Sequence, residues 1–375
     1  TSNVLDYNLN DVGSTKAFYW EKGTQDKLNF RRGFGKKYDL NIINDPDAKI
    51  GEKIIIKMIE NETGFNRNMI KNQIPETHSI VVGELINPNV SFQTDIFSKV
   101  LSQYQELTLF SDNLKDAFKT SVLYDDMVYD FGTGGLHAVR KNKVYRENEN
   151  EVIITSDVKS YYPNLAIHGD IYPCHIGEIY LRVFNQMYEE RGKYAKGTVE
   201  NFGLKIGLNG AFGKLIDKWS PLFCPPAGMS ITINGQLLLA MLCEMVTERK
   251  VGKVVMVNTD GIEVIVNRSK IEEYHAICKE WEDITGLTLE TDYYKSLFIE
   301  HVNSYLAITP EGYSYTKGYF EVEKDYHKDH SMTIVPLMAN RCLERGISSK
   351  KRIESMLAAA WRMHAKNPKL LHRFL

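Results

Sequence analysis

The stretch KVVMVNTDGIEVIV, residues 253–266, decides the fold. Two apolar, β-branched runs, Lys253 to Val257 and Ile262 to Val266, flank Asn258-Thr259-Asp260-Gly261, which predicts a hairpin. Upstream, Val152-Ile153-Ile154-Thr155 reads as a buried strand that ends at Asp157. Helical patterns run from about His175 to Arg191, closed by Gly192, from Val199 to Asp217, and from Met229 to Lys250. Leu101 to Tyr129 is also helix-like, and the cluster Gly132-Thr133-Gly134-Gly135 after it marks a tight loop. Strand, long helices, hairpin and further strands predict an α+β fold, an antiparallel sheet with helices on one face.

Composition narrows the class. A chain of 375 residues and 43.0 kDa suggests two or three domains. Hydrophobic residues at 43% and charged residues at 25% exclude a disordered or fibrous chain. With 46 Lys+Arg against 48 Asp+Glu the net charge is -2, which excludes a polycation and still allows nucleic acid on a local basic surface. The run from Arg31 to Lys57 is basic, and by position alone it reads as a solvated face. Five scattered cysteines (Cys174, Cys224, Cys243, Cys278, Cys342) make neither a disulfide framework nor a zinc pattern and fit a reducing compartment. The longest apolar run, Leu237 to Cys243, stops far short of the ~20 residues that span a bilayer, so no membrane partner is expected. The chain opens at Thr1 without a methionine, as a fragment would.

Two aspartates stand at strand ends. Asp260-Gly261 alone reads more readily as a turn than as a ligand pair, and Asp157 could cap the helix that follows it. Their flanks change the balance. The first is Asp157-Val158-Lys159-Ser160-Tyr161-Tyr162-Pro163, the second Val257-Asn258-Thr259-Asp260-Gly261, and between them lies Lys205-Ile206-Gly207-Leu208-Asn209-Gly210-Ala211-Phe212-Gly213. In order, these resemble the three polymerase motifs of family B DNA polymerases: D-x-x-S-L-Y-P, K-x-x-x-N-x-x-Y-G and D-T-D. Tyr7 and Asp11 resemble the Y-x-x-x-D of the family's last proofreading exonuclease motif. Gly132 to Gly135 with Leu136-His137 resembles its glycine loop, in the phage manner, and Asn303-Ser304-Tyr305 falls at its K-x-Y primer grip.

The resemblance implies a fragment of a DNA-directed DNA polymerase active in replication, phage or mobile-element in flavour, and so working in a host cytoplasm. It implies a palm with helical fingers and a partial helical thumb. The expected segments are an exonuclease tail at 1–30, a connecting and N-terminal palm region at 31–150 and palm at 151–174. Fingers at 175–217, palm again at 218–325 and the start of a thumb at 326–375 follow. The expected partners are primer–template DNA and deoxynucleoside triphosphates, with replication accessory proteins unidentified. Attack of a 3′ hydroxyl on a nucleotide α-phosphorus needs positioning and charge neutralisation above all. Two Mg²⁺ ions, or Mn²⁺ in their place, can do this, held by hard oxygen ligands. Asp157 and Asp260 fit that role as catalytic metal ligands, with the Val158 carbonyl as the resemblance implies. Asn258 stands where the family has its first motif aspartate and Gly261 where it has a serine. Glu290 offers a further acid, or a surface strand residue.

Lys205 and Asn209 share a helical face, with Phe212 and Gly213 a turn further on. Four glycines in that helix (Gly203, Gly207, Gly210, Gly213) suggest a face on which a base pair lies flat, since each costs up to about 1 kcal/mol against alanine. The resemblance assigns Lys205 and Asn209 to the triphosphate, with Ser160, Tyr161 and Phe212 around the nucleotide. Arg191 is a second triphosphate contact or a solvated helix end. Tyr162 matches the steric gate that excludes a ribose 2′ hydroxyl. Gly134, Gly135, Asn303, Tyr305 and Lys317 are the expected DNA contacts. Two rival readings stand beside this one: a catalytically silent relative that only binds primer–template DNA, kept open by Asn258, and another palm nucleotidyl transferase such as a reverse transcriptase. The short gap between the glycine loop and Asp157 fits a strand pair such as Leu136 to Lys143 with Glu151 to Ser156, and neither it nor the gap before Lys205 leaves room for the insertions of protein-primed members.

Overall fold

The computed structural model describes residues 2–110, 119–132, 134–322, 333–347, 354–355 and 358. Thr133 of the glycine cluster and most of the expected thumb segment lie outside these. The chain divides into two compact units: Thr1–Pro88, Gln103–Ala117 and Ser160–Gly235 make the first, and Asn89–Ser102, Phe118–Lys159 and Gln236–Leu375 the second.

The first unit is helical. It holds α1 (Ser2–Trp20), α2 (Lys22–Tyr38), α3 (Asp47–Thr63) and α4 (Arg67–Lys71), then a two-stranded ribbon of β1 (Ser79–Val81) and β2 (Thr108–Phe110). Helices α5 (Asp95–Glu106) and α9 (Pro225–Glu248) are each divided between the units, whereas α6 (Tyr161–His168), α7 (Ile179–Gly192) and α8 (Val199–Leu215) belong to the first. Thr198 caps α8 by accepting from the Asn201 amide at 3.3 Å. Much of the basic run from Arg31 to Lys57 is paired within this unit. Arg31 meets Asp47 at 2.7 Å, Lys53 meets Asp45 at 2.5 Å, and Lys37 pairs with Glu190.

The second unit is built on a seven-stranded antiparallel sheet. Its strands are β3 (Thr120–Tyr124), β4 (Met127–Gly132), β5 (Gly135–Val139), β7 (Glu151–Val158), β8 (Gly252–Asn258), β9 (Gly261–Asn267) and β10 (Leu289–Tyr294), in the order β10-β7-β9-β8-β5-β4-β3. A four-stranded sheet, β13-β12-β11-β6, adds β6 (Lys143–Arg146), β11 (Ser296–His301), β12 (Ser304–Ile308) and β13 (Ser314–Lys317). Helices α10 (Ile271–Thr285) and α11 (Ile334–Glu344) belong to the same unit. Ile153, Met256, Leu297, Ile299 and Ala307 form a shared core of the two sheets. Trp281 of α10 is buried and donates from Nε1 to the Leu238 carbonyl at 2.8 Å.

The fold is α+β with antiparallel sheets, as the sequence predicts. Three local expectations change. Leu101 to Tyr129 is not one helix: α5 ends at Glu106, and β3 and β4 form a hairpin in which Asp125 and Asp126 have φ of 46° and 56°. Two successive aspartates in that region are the signature of a type I′ turn, and Ser121-Val122-Leu123-Tyr124 before it carries strand character. The segment from Leu136 to Lys143 does not pair with β7; β5 pairs with β4 and β8, while β6 joins β11. Helix α9 starts at Pro225, earlier than expected, and is long and apolar enough by length and composition to cross a membrane, yet its most apolar window is wholly buried within the protein. Its polar groups are matched to protein partners: Asn234 accepts from the Asn87 amide at 2.7 Å, and Glu244 accepts from the Gln93 and Thr94 amides at 2.8 Å.

Candidate active site

In the second unit, strand register gathers the acids. Asp157 of β7 lies opposite Gly261 of β9 on one side and Glu290 of β10 on the other. Two residues back, Thr155 lies between Glu263 and Asp292. Because side chains alternate across a sheet, these six positions share one face. Asp157 belongs to the strand and not to the helix cap, which is Ser160. A Cβ on Gly261 would collide with Oδ1 of Asp157, so the missing side chain makes room for the carboxylate.

The hairpin turn differs from the Asp-Gly turn that the sequence suggests. The Asp260 amide donates to the Asn258 carbonyl at 2.6 Å, with φ of 63° at Thr259 between them. This is a tight three-residue turn, and the residue in the left-handed region is Thr259, not Gly261. Neighbours hold it there. The Thr259 amide donates to the Leu136 carbonyl at 2.9 Å, its Oγ1 lies 3.1 Å from His137 Nε2, and the Val158 amide donates to the Asp260 carbonyl at 2.7 Å. Gly135, at φ of 121°, would place a Cβ 2.9 Å from Thr259 Cγ2. The glycine loop therefore braces the turn that carries Asp260. Gly134 meets no such obstacle.

Asn258 secures the other side of the turn. Its Nδ2 donates to the Val302 carbonyl at 3.2 Å, tying the turn to the segment before Asn303. An ionised aspartate there has no hydrogen to donate. Asn303 is exposed, and Tyr305 of β12 lies in register with Lys317 of β13.

Charge crowding shows in the acids. Burial, then the charge of Asp260, then Asp292 and Glu290, push Asp157 from its ordinary 3.8 up to about 6. Glu263, 6% exposed and with an unpartnered Oε2, is pushed well above the usual carboxylate range by burial and then by Asp157 and Asp260, with Lys317 opposing. Burial, followed by Glu263, Asp157 and Asp260, raises Tyr305 to about 12. His137 is lowered by burial and by Lys317. The motifs do not point to Glu263, although a glutamate inside Ile262-Glu263-Val264-Ile265 is a visible anomaly in the sequence. Hard carboxylate oxygens in a site with surplus negative charge suit a cation such as Mg²⁺. Among the described residues no three His, Cys, Asp or Glu side chains converge to enclose a metal. Asp157 and Asp260 could hold one only with main-chain, water or substrate oxygens added.

In the first unit, Tyr162 of α6 and Phe212 of α8 meet with ring centroids 4.7 Å apart. Arg191 of α7 donates from Nη1 to Ser160 Oγ at 3.1 Å, and its Nε is buried and unpartnered. Ser160 has φ of 46°, a conformation few residues adopt without a reason. Lys205 and Asn209 are exposed on one face of α8. Tyr161 is 4% exposed and donates from its hydroxyl to the Gly235 carbonyl at 2.5 Å, so its ring is a core element. The glycines of α8 also have a different cause from the flat face expected. Side chains at Gly203, Gly207 and Gly210 would strike Phe30, Met187 and Ala48, and one at Gly51 of α3 would strike the Gly207 backbone. Only Gly213 faces open space. Tyr7 and Asp11 sit on α1, where both are exposed.

No family model matches the chain, and no curated protein does. Among solved structures, it is similar to the family B DNA polymerase from the hyperthermophilic archaeon Pyrobaculum calidifontis, with a TM-score of 0.41 and 14% identity. That match covers 60% of this chain, which spans about a third (32%) of the other.

Proposed function

We propose that this chain is the polymerising part of a DNA-directed DNA polymerase of family B type, which transfers deoxynucleotides to the 3′ hydroxyl of a nucleic-acid primer. The observation that carries the reading is the pairing of two strand-end aspartates: Asp157 and Asp260, remote in sequence, share one acidic cluster, where burial and then the neighbouring charges, Asp260 first, raise Asp157 to about 6. Divalent cations bound there would neutralise charge on the reacting phosphate and favour ionisation of the attacking hydroxyl. Asp157 and Asp260 supply the carboxylates, and the tight turn at Thr259 keeps Asp260 in place. Lys205 and Arg191 offer cationic groups for a triphosphate. Tyr162, backed by Phe212, offers a flat wall against a 2′ hydroxyl. Tyr305 and Lys317, side by side, suit a primer backbone.

The silent relative is less well supported, because the bond from Asn258 to the Val302 carbonyl gives that substitution a structural cause. The test of the reaction class offers an annealed DNA or RNA primer beside a candidate terminal protein with a free hydroxyl, in Mg²⁺. Extension of the annealed primer is expected. Deoxynucleotide transfer to the protein alone would overturn the reading.

A further inference from the structure

Trp219 follows α8 in the first unit and is 69% exposed. Its main chain is held firmly. The Trp219 amide donates to Asp217 Oδ1 at 3.0 Å, Arg67 Nη2 donates to the Trp219 carbonyl at 3.4 Å, and the Ser220 amide donates to the Asp217 carbonyl at 2.9 Å. Lys214 in turn pairs with Asp217 at 2.7 Å. A large ring is thus presented to water on a braced turn.

The ring is flanked by charge. The ammonium of Lys218 lies 5.2 Å from its centroid and that of Lys71 lies 5.9 Å away. Arg67, beside them, and Lys214 share the buried Glu52 at 3.7 and 3.9 Å. Glu52 and Asp217 offset Arg67 and Lys214, which leaves the two lysines at the ring as surplus positive charge. An exposed ring under two long, movable ammonium side chains suits one ligand class. Unpaired bases stack on such a ring whatever their identity, and the adjoining phosphates meet the cations. Bases in a duplex have their faces already covered. Protein interfaces favour tryptophan but are depleted in lysine, so the two lysines point away from a protein partner.

We propose that Trp219, with Lys71 and Lys218, is a stacking contact for single-stranded nucleic acid. The site needs no metal and none of the carboxylates of the second unit, so it stands or falls independently of the proposed reaction.

The experiment uses the full chain with EDTA and a fluorescein-labelled oligothymidylate, read by anisotropy across a salt series, with tryptophan emission followed on the unlabelled oligomer. Trp219→Ala is expected to weaken binding about tenfold. Trp219→Phe should keep affinity within a few-fold while losing the quenching of emission that the oligomer causes. Lys71→Ala and Lys218→Ala should each flatten the slope of log affinity against log salt by about 0.7. Unchanged affinity in Trp219→Ala, or quenching retained in Trp219→Phe, would overturn the proposal. So would an equal loss of affinity for duplex DNA. All three side chains lie at the surface, and unchanged circular dichroism of each variant confirms that the fold is kept.

Discussion

Asp157 carries a conflict that a titration can expose. Its folded pKa of about 6 exceeds its ordinary 3.8, so folding favours the protonated carboxyl. The contribution to stability is therefore full below about pH 4 and is lost as pH rises through 6. Asp157→Asn removes the charge and keeps the shape. In metal-free buffer it should raise the melting temperature at pH 7.5 and change it little at pH 4, solvent screening at this exposed position keeping the gain small. An equal shift at both pH values would show that the ionised carboxylate is not the cause. Tyr162 makes a second prediction. If its ring closes the space beside the sugar, Tyr162→Ala should raise ribonucleotide use relative to deoxynucleotides by orders of magnitude. An unchanged ratio in single-nucleotide incorporation would place the selection elsewhere. Asp157 and Asp260 could be picked out in the sequence because each ends an apolar run. Glu263 stands out as a charge inside an apolar run, but its meaning depends on lying across from Thr155, a pairing that only register fixes.

Helix α8 shows how local pattern misleads about cause. Its glycines look like a ligand face in the sequence, yet three of the four meet neighbouring helices in the first unit. A Cβ on Gly51 of α3 would fall 2.2 Å from the Gly207 carbonyl oxygen, a backbone atom of α8 that cannot move aside as a side chain can. Gly51→Ala should therefore destabilise by roughly 2 kcal/mol or more through overpacking. Gly213→Ala, in open space, should stabilise by up to about 1 kcal/mol through helix propensity. Chemical denaturation of the two variants checks this, and similar effects of the same sign would refute the packing account. The hairpin of β8 and β9 was legible from alternation and turn residues. Its turn type was not, because the left-handed residue is Thr259, held by the tertiary bonds to Leu136 and His137. The same applies to β3 and β4, where a helical reading of Leu101 to Tyr129 overlooked the turn at Asp125-Asp126.

For the chain as a whole, the α+β class and the antiparallel sheet followed from the order of its apolar runs, while the boundaries between its two units did not. That division interrupts the sequence at Lys159–Ser160, inside one motif. The acids belong to the second unit and Tyr162, Arg191 and Lys205 to the first. Short motifs report which residues chemistry needs; they carry no information on which body each residue folds with. The central claim concerns the two aspartates. Its most direct test is single-nucleotide incorporation on an annealed primer by the wild-type chain, Asp157→Ala and Asp260→Ala, with Mg²⁺ added or chelated and DNA binding measured in parallel. The account predicts Mg²⁺-dependent incorporation by the wild type alone, with DNA binding largely intact in both variants. Substantial incorporation by both variants, or by the wild type in chelator, would contradict it.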